Sequence, residues 1–399
     1  MSDLIRPSFF KMDNVIQNYP WGSMTSLQNI FGIANPSSLH QAEIWMGAHP
    51  NGCSKITVDG KKVLLSDFIA TDPNAILGPD TQARFGELPY LFKVLAAEKA
   101  LSVQVHPSKE QAEVGFAKEV GEKIPLDSSH RNYKDSNHKP ELVYALTPYQ
   151  AMNGFREIKD IVEKFKAIDI EVLTSLTNVF SENQNSQGLQ IFFQSILSLD
   201  GEVKSLAINE LVSYAHENKE NNLFSLIIDL SAHYPGDIGL FAPLMLNVLT
   251  LQPGEAMYLD ASTPHAYIKG TALEVMASSD NVLRAGLTPK YIDVPELVAN
   301  TLFKTKPKIE LLLPPEQKES HLHYPIPVSD FKFSVYHQVN DVVMNVNSAE
   351  IIFAIDSSLT VTNQSGKKVT ICKGESLFIP AYVQNYSVVC NGSFTKAFS

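Results

Sequence analysis

The sequence contains little cysteine, no excess of basic charge and no long hydrophobic run. Its 399 residues include three cysteines, Cys53, Cys372 and Cys390. They are widely spaced, odd in number and form no CxxC motif, which favours a reducing compartment over a disulfide-stapled secreted protein. Acidic residues outnumber basic ones, 43 to 32, for a formal net charge of −11. A broad basic face for nucleic acid is therefore not expected, and an anionic substrate would need a few local cations.

No uncharged apolar segment reaches the roughly 18 residues that a transmembrane helix requires, so no membrane span is expected. Residues 1–7 lack the apolar core of a secretory signal peptide. A cytoplasmic location is the simplest prediction. The chain is otherwise ordinary for a folded protein, with 44% hydrophobic and 19% charged residues and enough length for two or three domains.

The distribution of proline divides the chain. None of the 23 prolines lies between Pro148 and Pro235. Inside this gap, apolar residues recur at helical spacing, as at Ile158, Ile161, Val162 and Phe165. The flanking segments have short apolar runs broken by turn signals, which is typical of a β-sandwich or barrel. The pattern predicts a mainly β protein with a helical insertion at about residues 155–235.

A weak internal repeat links two parts of the chain. Residues 251–261 and 371–381 share a Gly-Glu pair followed by apolar residues and an alanine. This indicates a turn that enters a strand, used twice, although chance similarity between two such turns is the alternative. A genuine repeat would mean two related β-barrels, with Asn385 in the second where the first has His265.

The first candidate for chemistry is the strand-like segment 102–107. Gln104 and His106 alternate with valines, so their side chains share one face of a strand and could bind one metal ion. A His-Pro pair at a strand end is more often structural, and this segment alone does not decide between the two interpretations.

Two further polar segments carry candidate residues. Residues 133–141 precede an apolar run and contain His138, Lys139 and Glu141, which could supply a metal ligand and an acid–base group or could form a solvated loop. Residues 263–290 contain five more polar candidates, His265, Glu274, Asp280, Arg284 and Lys290. Gln104, His106, Glu141 and His265 together form a nitrogen and oxygen ligand set that suits a divalent ion, most often zinc. With one anionic ligand, the ion would stay Lewis acidic.

These segments resemble the type I phosphomannose isomerase family. The run Tyr-x-Asp-x-Asn-His-Lys-Pro-Glu at residues 133–141 is similar to one family signature. A second signature resembles residues 265–281, continued by Arg-Ala-Gly-x-Thr-Pro-Lys at residues 284–290. Residues 19–22, 42–50 and 102–107 also match the family pattern, so the resemblance extends from about residue 10 to residue 300.

The resemblance implies two cupin-type (jelly-roll) β-barrels plus an α-helical domain. The expected domains are a split catalytic cupin domain (1–154 and 236–315), a helical domain (155–235) and a C-terminal cupin-like domain (316–399). It implies one Zn²⁺ per chain on Gln104, His106, Glu141 and His265. It also implies reversible conversion of mannose 6-phosphate to fructose 6-phosphate through a cis-enediol, by an enzyme that is often a monomer.

The resemblance also implies catalytic roles. Lys139 is the candidate base for proton transfer, which requires a partly neutral amine, and Glu274 is a rival. His138 is the candidate for opening the sugar ring, with a structural role as the alternative. Arg284 cannot act as a base and should stabilise enediolate oxygens or hold phosphate, while Asp280 could orient it or relay protons.

Substrate contacts are the least defined. Phosphate must be held by a few groups, and the candidates are Ser102, Lys93, Lys99 and Lys290, with solvated lysines as the alternative. Glu274 is a further candidate for contact with the substrate. Trp21 and Trp45 lie in family-like motifs and are expected to pack in the core.

Two other functional classes stay open. A cupin oxygenase with iron would use a His-rich ligand set, which Gln104 and the run at residues 137–141 argue against. A sugar-phosphate sensor would bind without turnover, which intact Lys139, Asp280 and Arg284 argue against. Guanylyl transfer is rejected because no Gly-rich phosphate loop is present.

Overall fold

The computed structural model describes residues 8–399; the prediction about residues 1–7 lies outside them. The strands in the described part of the chain are β1 Phe10–Lys11, β2 Val15–Gln17, β3 Glu43–Met46, β4 Lys55–Val58, β5 Lys61–Leu64, β6 Tyr90–Ala97, β7 Gln104–Val105, β8 Glu141–Ala145, β9 Tyr149–Phe155, β10 Leu246–Leu251, β11 Ala256–Leu259, β12 His265–Ala277, β13 Leu283–Arg284, β14 Glu316–Gln317, β15 Leu322–Tyr324, β16 Lys332–Asn345, β17 Glu350–Ala354, β18 Leu359–Asn363, β19 Lys368–Ile371, β20 Ser376–Ile379 and β21 Asn385–Phe398.

The α-helices over the same residues are α1 Ser26–Phe31, α2 Leu65–Thr71, α3 Pro73–Leu77, α4 Pro79–Phe85, α5 Lys109–Gly121, α6 Ile158–Ile168, α7 Thr174–Glu182, α8 Ser186–Leu197, α9 Gly201–Glu217, α10 Asn222–His233, α11 Ala242–Met245 and α12 Val294–Asn300. Side-chain caps fix several of these helix starts. Ser108 accepts a hydrogen bond from the main chain of Gln111, whose side chain bonds back to Ser108, and together they form a capping box for α5.

The strands form two large antiparallel sheets. The ten-stranded first sheet contains β2, β3 and β6 to β13, and the nine-stranded second sheet contains β1 and β14 to β21, counted over residues 8–399. β4 and β5 form a separate hairpin. β1 lies early in the chain, yet it pairs with β20, so the two ends of the chain meet in the second sheet.

Helices α6 to α10 form the helical insertion predicted from the proline gap. α6 shows why the segment is helical, because its buried residues Ile161, Val162, Phe165 and Ile168 recur at the spacing of one helix face. This face packs into a core shared with the first sheet, through Met152 and Ala266 among others. The prediction of a sheet-rich protein with a helical insertion is confirmed.

A second hydrophobic core joins the two sheets. Phe92 on β6 contacts Phe333 and Phe353 of the second sheet with ring centroids 6.1 and 6.2 Å apart. All three side chains are fully buried. The two sheets therefore pack against each other through their apolar faces, and this contact removes both apolar faces from water.

Cys53, Cys372 and Cys390 are all free. Among residues 8–399, none of the helices combines the length and the apolar character that crossing a membrane would require.

Candidate metal centre and active site

Strand register brings the four predicted ligands together. His265 at the start of β12 pairs with Gln104 on β7, and Gln104 in turn pairs with Arg284 on β13. Further along, β12 pairs instead with β6 and β8. Met276 on β12 pairs there with Glu141 on β8. Because β12 runs past both groups of strands, ligands that are far apart in the sequence meet on one inner face.

Three of the predicted ligands form a buried cluster whose donor atoms lie within 4.8 Å of one another, namely His106, Glu141 and His265. The fourth, Gln104, has its amide nitrogen 3.3 Å from Nε2 of His265. Its amide oxygen reaches the same point after a half-turn of the amide group.

The hydrogen bonds of the two histidines leave their Nε2 atoms free to bind a cation. Nδ1 of His106 donates to the carbonyl of Asn281 at 2.6 Å, and Nδ1 of His265 donates to the carbonyl of Thr263 at 2.9 Å. Because a carbonyl only accepts, each Nδ1 carries the proton and each Nε2 presents a lone pair. Burial also lowers the pKa of His106 to about 4, which keeps this imidazole neutral.

The acceptor atoms of this cluster face one another without a proton between them. Nε2 of His106 is buried without a hydrogen-bond partner, although it lies 3.1 Å from a carboxylate oxygen of Glu141. Nε2 of His265 lies 3.5 Å from the other oxygen. Converging lone pairs repel, so this donor set fits a divalent cation, and imidazole with carboxylate suits zinc.

Tyr267 and Lys139 complete the surroundings of Glu141. The Tyr267 hydroxyl donates to Oε2 of Glu141 at 2.5 Å, and the Lys139 ammonium lies 3.4 Å from Oε1. Burial by itself raises the pKa of Glu141, but Lys139 and His106 outweigh this effect and hold that pKa well below its usual value. The carboxylate is therefore charged and available as a ligand.

A second buried ionic cluster lies on the neighbouring strands. Lys93 on β6 pairs in register with Glu274 on β12, and its ammonium lies 3.0 Å from Glu274 and 3.9 Å from Glu43. Burial opposes the charged ammonium, but the two carboxylates raise the pKa of Lys93 above its usual range. Burial raises the pKa of Glu274, with Lys93 acting in the opposite direction.

A cavity of about 580 Å³ connects the two clusters. The predicted residues that line it are Ser102, Gln104, Lys93, Lys99, Lys139, Glu141, Glu274, Arg284 and Lys290. Trp21 also lines it, so its expected role in core packing is wrong, whereas Trp45 is buried as expected. One cavity therefore brings together acid–base, ligand and cationic groups.

The wall of the cavity around Arg284 is cationic. Burial lowers the pKa of Arg284, and burial together with repulsion by Arg284 and Lys134 lowers the pKa of Lys290. Mutually repelling cations favour an anion between them, as at a phosphate site. Lys134 lies outside the described lining, and its ammonium donates to the carbonyls of Leu126 and Ser128.

Asp280 and His138 lie beside the cavity rather than on its described lining. A carboxylate oxygen of Asp280 is 3.4 Å from Nε2 of His49, and the other accepts a hydrogen bond from Asn51 at 2.8 Å. His138 donates from Nε2 to Asp330 at 2.9 Å. His49 was missed as a candidate, although it lies in the quoted segment 42–50.

A clamp fixes the segment that carries Lys139. The Asn281 amide donates to the carbonyls of Asp135 and Asn137, each at 2.8 Å, and its oxygen accepts from the main chain of Lys134 at 2.7 Å. Asn281 is fully buried. One side chain thus joins residues 134–137 to the loop that follows β12.

Comparison with known proteins identifies the family. The family model for the phosphomannose isomerase type I catalytic domain matches residues 9–158, and that for the type I helical insertion domain matches residues 161–246. Together they span more than half of the chain, which therefore belongs to the type I phosphomannose isomerase family.

Curated relatives match almost the whole length. The mannose-6-phosphate isomerase of Salmonella typhimurium is 49% identical over 373 residues, covering 93% of this chain and 94% of that protein. The Homo sapiens mannose-6-phosphate isomerase is 37% identical over 409 residues, with 94% of each chain covered. A zinc-bound crystal structure of mannose 6-phosphate isomerase superposes with a TM-score of 0.94 at 46% identity. The match covers 98% of this chain and 100% of that chain.

Proposed function

We propose that the protein is a zinc-dependent isomerase that interconverts mannose 6-phosphate and fructose 6-phosphate, the activity for which its relatives are named. The observation that carries the proposal is the convergence of His106, Glu141 and His265 beside a cavity with a cationic wall. A sugar phosphate combines the two features such a site would recognise, namely vicinal oxygens and a dianion.

The reaction moves hydrogen between two adjacent carbons. A base removes the proton from C2 of the open-chain aldose while the C1 oxygen gains a proton, which gives a cis-enediol. Return of the carbon-bound proton to C1, with loss of the proton from the C2 oxygen, gives the ketose. The site must therefore hold a base near C1 and C2 and stabilise charge on both oxygens.

Gln104, His106, Glu141 and His265 would hold the zinc ion. Bound there, zinc supplies Lewis acidity that stabilises negative charge on the sugar oxygens. Arg284, which pairs in register with the Gln104 position, adds a fixed positive charge on the same side of the cavity. The positions of these groups favour a substrate whose C1 and C2 end faces β7.

Two groups are placed to move the proton. Lys139 lines the cavity and approaches Glu141, and Glu274 lines it beside Lys93 with a raised pKa. We rank Lys139 first as the base, since it lies beside the ligand cluster. Asp280 with His49, and also His138, would assist ring opening from beside the cavity.

The cationic wall of the cavity around Arg284 also suits phosphate. Arg284 and Lys290 repel each other there, and Ser102 and Lys99 line the same cavity. Lys93 is less suited to phosphate than expected, because its ammonium already pairs with Glu274 and Glu43. We therefore assign phosphate binding to Lys290, Ser102 and Lys99, with Lys93 keeping Glu274 in place.

The experiment that tests this function measures fructose 6-phosphate formed from mannose 6-phosphate before chelation, after chelation and after zinc is restored. Loss and recovery of turnover would support both reaction and metal, and iron-dependent oxygen uptake would support an oxygenase instead. Folded, zinc-loaded protein without turnover would overturn the isomerase and favour a sugar-phosphate sensor. A cytoplasmic location and a monomeric state stay predictions.

We also propose that the two sheets are related cupin-type barrels. The turns of the internal repeat share their hydrogen bonds: the main chain of Gln252 donates to Glu255, and that of Cys372 donates to Glu375, both at 2.8 Å. The strands that follow also correspond, since Leu259 pairs with Glu141 and Ile379 pairs with Glu350. The boundaries proposed for the domains stay at 1–154 with 236–315, 155–235 and 316–399.

In the proposed second barrel, a lysine ammonium group neutralises the buried carboxylate, as the metal ion would in the first barrel. Glu350, which corresponds to Glu141, accepts hydrogen bonds from Lys396 and Tyr386, both at 2.9 Å. The position that corresponds to His265 is Asn385. A buried carboxylate neutralised by lysine needs no divalent ion. Zinc analysis should therefore give one ion per chain, lost in His265→Ala; a second ion would contradict this role.

A further inference from the structure

The C-terminal part of the chain contributes a side chain to the segment that carries Lys139. Asp330 precedes β16, and its Oδ1 accepts a hydrogen bond from Nε2 of His138 at 2.9 Å. The side chain of Asp330 is 6% exposed and that of His138 is 20% exposed. This bond joins residues 192 positions apart in the chain.

We propose that Asp330 is a positioning residue, which holds His138 and through it aligns Lys139 in the active site. The inference rests on the function proposed above. It gives the C-terminal part of the chain a role in the reaction, although the Asp330 side chain lies outside the described lining of the cavity.

Asp330 is held rigidly by the residues that follow it in the chain. The next residue, Phe331, is fully buried, and so is Phe333 on β16. Phe333 contacts Phe92 and Tyr144 of the first sheet, with ring centroids 6.1 and 5.7 Å apart. Since packed aromatic side chains fix the adjacent main chain, the Asp330 carboxylate is held at a set position against the first sheet.

The bond to Asp330 limits the mobility of residues 138 and 139. The clamp by Asn281 reaches the carbonyl of Asn137, and the carbonyl of Pro140 accepts a hydrogen bond from Ala277 at 3.2 Å. Between these two main-chain bonds lie His138 and Lys139. A side-chain bond from His138 to Asp330 therefore fixes the part of the segment that presents the proposed base.

The hydrogen bond between His138 and Asp330 has a defined polarity. A carboxylate only accepts, so Nε2 of His138 carries the proton whether or not the ring is charged. Asparagine at position 330 would keep an oxygen that accepts this proton, whereas alanine would remove it. The two substitutions thus separate loss of the hydrogen bond from loss of the negative charge.

The experiment compares Asp330→Ala, Asp330→Asn and the control Asp356→Ala in the zinc-loaded enzyme. Asp356 is an exposed aspartate of the same C-terminal part, and it accepts a hydrogen bond from the main chain of Ser393. We expect Asp330→Ala to lower kcat on the order of tenfold to a hundredfold with little change in KM, because misplacing a catalytic group weakens transition-state contacts. Asp330→Asn should recover most of the activity, and Asp356→Ala should match the unchanged enzyme.

Hydrogen exchange provides a readout that does not depend on turnover. In Asp330→Ala, the amides of residues 137–139 should exchange faster, with no such change in Asp356→Ala. Unchanged kcat and unchanged exchange in Asp330→Ala would overturn the proposal, as would an equal loss in the control or a change in KM alone. If the unsubstituted protein shows no isomerase activity, the proposed function fails, and exchange alone decides whether Asp330 positions the segment.

Discussion

At the scale of single residues, the site depends on groups that touch the ligands rather than on the ligands alone. The Tyr267 hydroxyl donates to Glu141, which fixes the carboxylate and neutralises part of its charge. Such partners of metal ligands commonly contribute about 10- to 100-fold in metal affinity. A sequence motif does not reveal these hydrogen-bond partners, because a tyrosine in a strand is usually a packing residue.

We expect Tyr267→Phe to weaken zinc binding about 10- to 100-fold while leaving the fold intact. Competition with a chelator of known affinity measures this directly. The matched control is Tyr149→Phe, since Tyr149 packs 5.8 Å from Tyr267 and its buried hydroxyl has no hydrogen-bond partner among residues 8–399. Equal losses in the two variants would show that the hydroxyl of Tyr267 does not support the ligand.

His49 predicts a pH dependence of stability. Burial lowers the pKa of His49, and the nearby Asp280 opposes this shift only in part. The unfolded chain, with the ordinary histidine pKa of about 6.5, therefore binds this proton more readily than the folded protein. The contribution of His49 to the free energy of unfolding is complete above that pKa and is lost as the pH falls below it.

The measurement is urea unfolding of the metal-free protein and of metal-free His49→Asn between about pH 7.5 and about pH 5. This range brackets the ordinary pKa of histidine. The unsubstituted protein should lose more stability over this range than the variant, which lacks the titrating group. Parallel pH profiles would contradict the role of His49.

At the scale of elements, the loop after β13 is held by a close crossing of two main chains. Gly286 has a φ of +124°, and a Cβ on it would lie 2.4 Å from Cα of Gly239. Asp237, just beyond the helical insertion, accepts hydrogen bonds from the main chains of Leu287 and Thr288 at 2.7 and 3.1 Å. The exit of the insertion thus fixes the loop between Arg284 and Lys290.

Gly286→Ala should destabilise the protein and lower kcat/KM. The added Cβ would force the main chains at Gly286 and Gly239 apart, which would displace Arg284 and Lys290. The control is Gly366→Ala, where φ is +79° and the added Cβ meets nothing within 4 Å. That variant should lose only the roughly 1–2 kcal/mol of left-handed strain and keep its activity. Chemical denaturation and steady-state kinetics separate the two effects; similar results for both would mean that the crossing is unimportant.

The same scale shows where local patterns predict structure well. The proline gap and the helical spacing predict the insertion, because both act within a few turns of chain. The alternation around Gln104 and His106 predicts their common side, although the strand β7 spans only Gln104–Val105. Sequence patterns did not predict that β1 pairs with β20, since nothing local selects a partner hundreds of residues away.

At the scale of the whole molecule, the two sheets should unfold together. Phe353 on β17 lies in the core shared with Phe92 of the first sheet and also contacts Phe31, with ring centroids 5.3 Å apart. Removing one of these rings creates a cavity in both parts at once. We expect Phe353→Ala to lower the free energy of unfolding by about 3–5 kcal/mol.

Urea titrations followed by circular dichroism and by enzyme activity should give one common midpoint, shifted equally in Phe353→Ala. The control is Val343→Ala, because Val343 lies on the second sheet and is 64% exposed. This variant should change the free energy of unfolding by less than about 0.5 kcal/mol. Two separate midpoints would show that the second sheet unfolds independently.

The sequence by itself determined the chemical inventory, namely imidazole, carboxylate and amide groups that could serve as metal ligands, and it determined the helical insertion. These follow from residue type and short-range spacing, which the chain carries in any conformation. Only the tertiary structure decided that Trp21 lines the cavity, that His49 meets Asp280, that Lys93 is neutralised by Glu274 and Glu43, and that Asp330 reaches His138. Those contacts depend on the register of distant strands and on a shared apolar core, and both are properties of the folded chain as a whole.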